Sequence, residues 1–355
     1  MTVNEDLLSF QIAQQVRWLR LANSEARSAR KLLASVDKKL QSLILSIDVD
    51  YGPLTYSQAR LASLRKQVKD LLYATHADVA EKVTSSVLSI ANASADIEEK
   101  ALLLSIPVAI DVVTPNLGVL ATAAKLTPFR GANLAQWLEE LRANDLNRTM
   151  RTIQEGLISG EDTPSIVRNV IGTRGLQYKD GIREVSRRGV EMLVRTAVNH
   201  AASMGRQTVW EENTHLISSV RWVSTLDGKT SEICRFRDGK VYPVDSGPRP
   251  PAHPSCRSTT VAVTRSWREL GFNIDEMPLG SRASMNGQVP GELTYYDWLK
   301  TQPKTFQVEV LGPRRYKLWR GGGVELTSFH NDAGNLLTLK ELKSKMPAAF
   351  DAAFG

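Results

Sequence analysis

Apolar residues recur every seven positions along the first 47 residues. One series is Ile12, Leu19, Ala26, Leu33, Leu40 and Ile47, and the second is Gln15, Ala22, Ala29, Val36 and Leu43. This spacing predicts one long helix with a coiled-coil type of seam, ended by Gly52 and Pro53. A second stripe from Leu61 to Ile90 predicts a helical hairpin over residues 5–92, whose stripes bury each other.

Weaker patterns follow the hairpin. The stretch 112–131 is expected to be a loop with one short strand, and helical periodicity returns over 132–160, 163–173 and 181–213. Thr163 is expected to cap the middle one of these helices. Three short runs rich in β-branched residues predict strands, and their sequences are "ISSVRWVST", "KVYPV" and "STTVAVT".

The predicted fold class is therefore mainly α, with a small β element around residues 217–264. The length of the chain, 355 residues, suggests two or three domains. The predicted regions are an N-terminal helical hairpin (1–100), a helical and loop connecting region (101–180), a long helix with a small Cys/His-containing β module (181–267), and a C-terminal extension of short helices (268–355).

Charge and composition narrow the class of protein. The net charge of +7 favours an acidic partner such as nucleic acid. Two basic clusters could contact phosphates, or could be solvated helix faces: Arg60, Arg65, Lys66 and Lys69, and Arg314, Arg315, Lys317 and Arg320. Pro107, Asp111 and Pro115 interrupt the most apolar region, so we expect no membrane span. Acidic residues near the start argue against a signal peptide, and we expect a soluble protein made in a reducing cytoplasm.

The candidate chemistry lies around one proline-rich loop. Both cysteines of the chain, Cys234 and Cys256, lie close in sequence to His253. Thiolate and imidazole are zinc ligands, and zinc usually takes four. Asp227 and His200 are candidates for the fourth position. Reduced thiols packed in a small core and a disulfide remain open as alternatives to zinc.

Other polar residues near the loop predict structural contacts. Arg257 follows Cys256 directly, and Asp227 could pair with it and fix the loop to the preceding strand. Arg195 and Asn199 are four residues apart and share one face of the long helix, with Thr196 beside them. We expect this face to meet one partner, with a packed loop carbonyl as the acceptor.

Together these segments resemble the phage Mu F-like minor head protein family, also called head morphogenesis proteins. The resemblance is carried by "LVRTAVNHAASMGR", "RWVSTLDGKTSEICRFRDGKVYPV" and "GPRPPAHPSCRSTTVAV". The matching positions are Arg195, Thr196, Asn199, Trp222, Thr225, Asp227, Thr230, Cys234, Asp238, Gly239, Pro250, Pro251, His253, Cys256 and Arg257. Family members often have two further cysteines, where this chain has Ser231 and Ser258.

The resemblance implies a minor structural protein of a tailed bacteriophage, present in few copies. Such a protein is associated with the portal vertex inside the head and supports head assembly and DNA packaging or ejection. Its implied partners are the portal protein, the major capsid protein and packaged double-stranded DNA, without a membrane. Its implied location is the virion, after assembly in the host cytoplasm.

Two other functions are weighed against this one. The basic clusters favour a non-specific DNA-binding protein, ejected with or bound to the genome. An enzyme is the third alternative, either a nuclease or an ADP-ribosyltransferase. The five histidines are mostly scattered, and the sequence contains no E-x-E motif. We therefore expect no catalytic activity, and no cofactor apart from the candidate structural zinc.

Overall fold

Of the 355 residues, the computed structural model describes 3–47, 58–105, 111–266, 268–270 and 280–355. Gly52 and Pro53, the expected end of the first helical segment, lie outside these ranges, and so does Pro107. Within the described residues, no helix combines the length and the apolar character needed to cross a membrane.

The fold is mainly α with small antiparallel sheets, as the sequence predicts. The helices are α1 (Val3–Ala34), α2 (Asp37–Leu45), α3 (Gln58–Ser105), α4 (Leu117–Leu126), α5 (Leu134–Ile158), α6 (Thr163–Ile171), α7 (Arg183–Glu212), α8 (Glu232–Arg237), α9 (Tyr295–Lys300), α10 (Lys304–Leu311), α11 (Pro313–Arg320), α12 (Leu339–Lys345) and α13 (Pro347–Phe354). The strands are β1 (Ile217–Val223), β2 (Val241–Pro243), β3 (Thr259–Thr264), β4 (Ser281–Ser284) and β5 (Gly287–Pro290). One sheet has the order β2-β1-β3, and β4 and β5 form a separate hairpin.

Helix α7 is the central element of the helical core and packs against both α1 and α3. Ala26 and Leu33 of the predicted seam are fully buried in the same cluster as Ala197 and Ala201 of α7. The seam of α1 is therefore covered by α7 as well as by α3, which differs from a hairpin whose two stripes bury only each other. A third helix removes more of the apolar stripe from water than a hairpin would.

The prediction of one continuous first helix is wrong, because the chain turns at residues 35–36 between α1 and α2. The turn lies against the start of α7, where Arg183 donates to the Leu33 carbonyl at 2.9 Å and to Asp37 Oδ1 at 2.8 Å. At this turn the Leu33 carbonyl is accessible to the guanidinium of Arg183, a residue distant in the sequence. The seam nevertheless continues across it, since Val36 and Leu40 are buried in the next core cluster.

Residues 112–131 also differ from the prediction, because α4 occupies much of the expected loop. Asn116 caps α4 by accepting from Gly118 N at 2.7 Å, and Leu120 faces the core. The N-cap of α6 is Asp162, which accepts from Ser165 N, so the expected cap Thr163 is instead the first helical residue. Both differences reflect short polar side chains that take the capping position.

The C-terminal helices α9 to α13 surround a core of their own, with Tyr295, Trp298 and Phe329 at its centre. The short helices expected in this region are present as α9, α11 and α12. The sequence patterns did not predict the β4–β5 hairpin, α10 or α13. Each of these elements is at most eight residues long, so its apolar period is weak.

Gly205 permits a close approach between α3 and α7. A Cβ atom at this position would lie 2.2 Å from the carbonyl oxygen of Ala91. Ser94 Oγ donates to the Ala202 carbonyl at 2.7 Å in the same contact. We expect Gly205→Ala to lower the free energy of unfolding by about 2–3 kcal/mol, because the helices must separate. Denaturant unfolding followed by circular dichroism measures this change.

The matched control is Gly175→Ala. A Cβ atom at Gly175 would meet no atom within 4 Å. Its free energy of unfolding should stay within about 0.5 kcal/mol of the parent. Equal effects of the two substitutions would contradict the close α3–α7 contact.

Candidate metal centre

The small sheet supplies the floor of the site. Trp222 on the central strand β1 is fully buried and packs against Cys234 and Cys256. Its Nε1 donates to Ser224 Oγ at 2.9 Å, and Ser224 Oγ in turn donates to the Cys234 carbonyl at 2.8 Å. The indole ring therefore excludes water from one side of both thiols and fixes the first turn of α8.

Cys234, His253 and Cys256 meet at one place above this floor. Cys234 Sγ lies 3.3 Å from His253 Nε2 and 3.7 Å from Cys256 Sγ, and all three ligand atoms lie within 4.8 Å of one another. Both cysteines are buried and free of disulfides, whereas His253 is half-buried. His253 Nδ1 lies 3.0 Å from the Pro254 carbonyl, which leaves Nε2 facing the sulfurs.

The pKa values of the two buried thiols are shifted in opposite directions. Hydrogen bonds from Cys234 and His253 lower the pKa of Cys256 well below its usual value, against the opposing effect of burial. The hydrogen bond with Cys256, together with burial, raises the pKa of Cys234. The hydrogen bond to Cys256 also raises the pKa of His253. The site is therefore arranged to stabilise one thiolate next to an imidazole, which is the donor set that a soft or borderline cation prefers.

The spacing of the three donors fits a tetrahedral zinc ion. Bonds of about 2.3 Å to sulfur and 2.0–2.1 Å to nitrogen place two sulfurs about 3.8 Å apart, and a sulfur and a nitrogen about 3.6 Å apart. The observed separations are 3.7 Å and 3.3 Å. Two of the three donor separations are therefore close to those of a tetrahedral zinc ion, and the third pair lies within 4.8 Å.

Neither sequence candidate for the fourth ligand joins the group. Arg257 binds both carboxylate oxygens of Asp227, at 2.6 and 2.8 Å. Although burial raises it, this guanidinium keeps the pKa of Asp227 below its usual value. The ring of His200 instead packs on Phe129 at 4.7 Å. In the described part of the chain, no further histidine, cysteine or acidic residue completes the cluster.

Two serine hydroxyls, of Ser231 and Ser258, lie next to Cys234. Ser231 and Ser258 lower the pKa of Cys234 and partly offset its rise. Ser258 Oγ donates to Ser224 Oγ at 3.2 Å, whereas Ser231 Oγ is buried and has no hydrogen-bond partner among the described residues. These are the positions at which many relatives are expected to carry cysteine. A hydroxyl or a water molecule is therefore the available fourth donor in this chain.

Asn199 connects the loop to the helical core. Its Nδ2 donates to the carbonyls of Cys256 at 2.9 Å and Ser258 at 3.4 Å, and its Oδ1 accepts from Gln15 at 2.9 Å. The expected loop carbonyl is thus the partner of Asn199. The expectation that Arg195 shares it is wrong, because Arg195 Nε donates to Asn23 of α1 at 2.9 Å.

Thr196 makes a second contact with the loop, since its hydroxyl accepts from Ser255 N at 3.0 Å. The predicted pair of Asp227 and Arg257 is present and bidentate. It joins the end of the loop to the segment that follows β1. Four side chains therefore fix a loop that has little core of its own.

Asp238 is a buried hub that the sequence reasoning did not recognise. Its two oxygens accept from Arg282, at 3.0 and 3.1 Å, and from the amides of Ser224 and Tyr295. It thereby joins the β module to the β4–β5 hairpin and to α9. The sequence did not indicate a buried role for Arg282, because the short segment around it has the composition of an exposed segment. Asp238 belongs to the D-G-K motif, and the buried Trp222 nearby in the fold could have suggested that this aspartate forms a buried ion pair.

We propose that zinc binds at Cys234, His253 and Cys256. Untagged protein from zinc-supplemented medium should carry about one zinc ion per chain by elemental mass spectrometry. His253→Asn should lose most of it, since only the two thiolates would remain. His215→Asn removes an exposed histidine outside the cluster and should retain the metal.

Two results would contradict zinc binding. A zinc content near zero with two titratable thiols would assign the pair to a packed core. A chain mass lower by about 2 Da after purification would assign it to a disulfide, which forms with the loss of two hydrogens.

Comparison with known proteins gives one match. Residues 131–261 match the family model of Phage Mu protein F like protein. No curated protein and no solved structure matches the chain. The matched segment begins just before α5, contains α7 and Cys234, His253 and Cys256, and ends within β3. The match confirms the resemblance in the sequence motifs and identifies residues 131–261 as a phage Mu F-like segment, consistent with a role in phage head morphogenesis.

Proposed function

We propose that the protein is a minor structural component of a tailed-phage head. It acts inside the capsid next to the portal vertex and supports head assembly and the packaging or ejection of DNA. The Mu F-like segment over residues 131–261 is the observation that carries this proposal. The portal protein is the proposed main partner, with the major capsid protein and packaged double-stranded DNA as further contacts.

The polar motif residues support a role in binding, without catalysis. A general acid or base must reach the proton that it transfers, within hydrogen-bond distance of a substrate. Asn199 and Asp238 are buried, and their hydrogen bonds go to groups of the same chain. Asp227 is neutralised by Arg257. These side chains connect elements of the fold, so we propose that the protein is not an enzyme.

DNA binding is the second candidate, favoured by exposed basic residues on α11. Arg314 and Lys317 are exposed there. Arg315 donates to the Leu337 carbonyl at 2.8 Å, and the guanidinium of Arg320 lies 3.8 Å from the ring centroid of Trp319. Lys317 Nζ lies 5.8 Å from the ring centroid of Phe354. Arg315, Lys317 and Arg320 therefore each make an internal contact that phosphate binding could weaken.

The portal contact is tested with the phage that encodes this chain. The untagged protein should co-sediment with purified portal rings, because the proposal requires a direct contact. Deletion of the gene should lower the yield of DNA-filled or infectious particles. Failure to co-sediment, together with normal assembly and infection without the gene, would reject the proposed function.

DNA binding is tested with Arg314→Glu combined with Lys317→Glu. If phosphates are the target, this variant should bind all duplex sequences more weakly, and its salt slope should fall by about 2. Fluorescence anisotropy between about 50 and 200 mM salt measures both quantities. Arg174→Glu with Lys179→Glu makes the same charge change at another exposed place and should bind like the parent. A salt-independent affinity, or equal loss in both variants, would reject a phosphate site on α11.

A further inference from the structure

A groove runs along the surface between α5 and α7. It has a volume of about 360 Å³ and lies outside the cysteine and histidine site. Leu141 of α5 and Leu193 of α7 lie in its floor, and Phe129 closes one end. Arg130 also lines it, and the remaining lining residues recur at helical spacing on the two helices, namely Trp137, Glu140, Asn144, Arg148, Val185, Arg188, Gly189, Met192 and Thr196.

The two helices run antiparallel along the groove. Leu141 faces Gly189, where a Cβ atom would lie 3.0 Å from the Leu141 Cδ1 atom, and Asp145 pairs with Arg183 one turn further along. From Trp137 to Arg148 the groove is about 16 Å long, since a helix rises 1.5 Å per residue. This length accommodates about three turns of a third helix.

Apolar side chains at the groove are left in water. Val185 is 46% exposed and Met192 is 42% exposed, although both lie on the central helix of the fold. Trp137 is half-buried beside them. An exposed apolar patch that is bordered by polar side chains often marks a protein interaction site.

The rim of the groove is mainly basic. Arg130 lies over the Trp137 ring at 5.6 Å, and within the described residues Arg148 makes no hydrogen bond or ion pair. Arg188 pairs with Glu184, which also binds Arg30 at 2.6 Å, so the third rim arginine is only partly neutralised. Glu140 is the acidic residue of the lining. The rim therefore favours a ligand with carboxylates next to an apolar stripe.

We infer that this groove docks an acidic amphipathic helix of a partner protein. Apolar side chains of that helix, at positions i, i+3, i+4 and i+7, would cover Leu141, Val185 and Met192. Its carboxylates would meet Arg130 and Arg148. Nucleic acid fits less well, because the floor is apolar, and a second copy of this chain carries a net charge of +7. The inference goes beyond the proposed function and rests on the groove alone.

Two synthetic helical peptides with the same leucine stripe test it, one flanked by glutamates and the other by lysines. Fluorescein anisotropy with the full chain should show the acidic peptide binding at least about tenfold more tightly. Val185→Glu with Met192→Glu should weaken it by a similar factor, and Arg148→Glu should reduce the preference for the acidic peptide. Ile158→Glu with Leu176→Glu adds the same charge at exposed apolar positions outside the groove and should change nothing.

Equal affinity for the two peptides, or equal weakening by the control variant, would overturn the inference. Sedimentation supplies a second criterion, because a dimer that the Val185→Glu and Met192→Glu variant dissociates would assign the groove to a second copy. Circular dichroism establishes that each variant is folded. The outcome is separate from co-sedimentation with portal rings, so either proposal can fail without the other.

Discussion

The hydrogen bonds of the Asn199 carboxamide join the three parts of the molecule on which the candidate metal centre depends. They connect α7 to Gln15 of α1 and to the carbonyls of Cys256 and Ser258 in the proline-rich loop. The side chain is almost fully buried, so each group left unpaired would cost about 1–3 kcal/mol. Together with Thr196, which accepts from Ser255 N, this amide fixes the position of His253 and Cys256 relative to the helical core.

The N-terminal end of α7 plays an equivalent part for the other helices. Arg183 is fully buried and binds Asp145 of α5, Asp37 of α2 and the carbonyl of Leu33. His76 of α3 lies 2.9 Å from the same Asp145 carboxylate. A charge buried in this way is tolerated only when its partners satisfy it, and the partners of Arg183 come from three helices, to which His76 adds a fourth through Asp145. The central helix thus fixes its neighbours by polar contacts at its N-terminal end and near its middle, and by the small residues Ala197, Ala201 and Gly205.

This arrangement gives a physical meaning to the motif of the Mu F-like segment. Asn199, Asp227 and Asp238 resemble catalytic residues in type, but each bonds to groups from other elements of the same chain. A small β sheet has too little apolar surface to stabilise itself, so buried pairs and a thiol-rich loop replace part of the missing core. The groove between α5 and α7 has the opposite character, since Val185 and Met192 are left in water and Arg148 makes no hydrogen bond or ion pair within the described residues.

Helices, strands and contacts that depend on nearby residues could be predicted from the sequence alone. Periodicity predicted the long helices and the three strands of the β module, because the burial of a regular element repeats along the chain. The sequence also predicted the pair of Asp227 and Arg257. It placed Cys234, His253 and Cys256 in one candidate site, since these residues lie within about thirty positions of one another.

The hydrogen-bond and ion-pair partners of the long polar side chains became clear only from the tertiary structure. Arg183 meets the turn after α1 from nearly 150 residues away, Arg195 binds α1 rather than the loop, and Arg282 pairs with Asp238 across 44 residues. Such side chains can reach several acceptors, and the choice depends on which remote segments pack beside them. Local sequence sets the period of burial, but the partner of a buried charge is fixed only when the whole chain has folded around it.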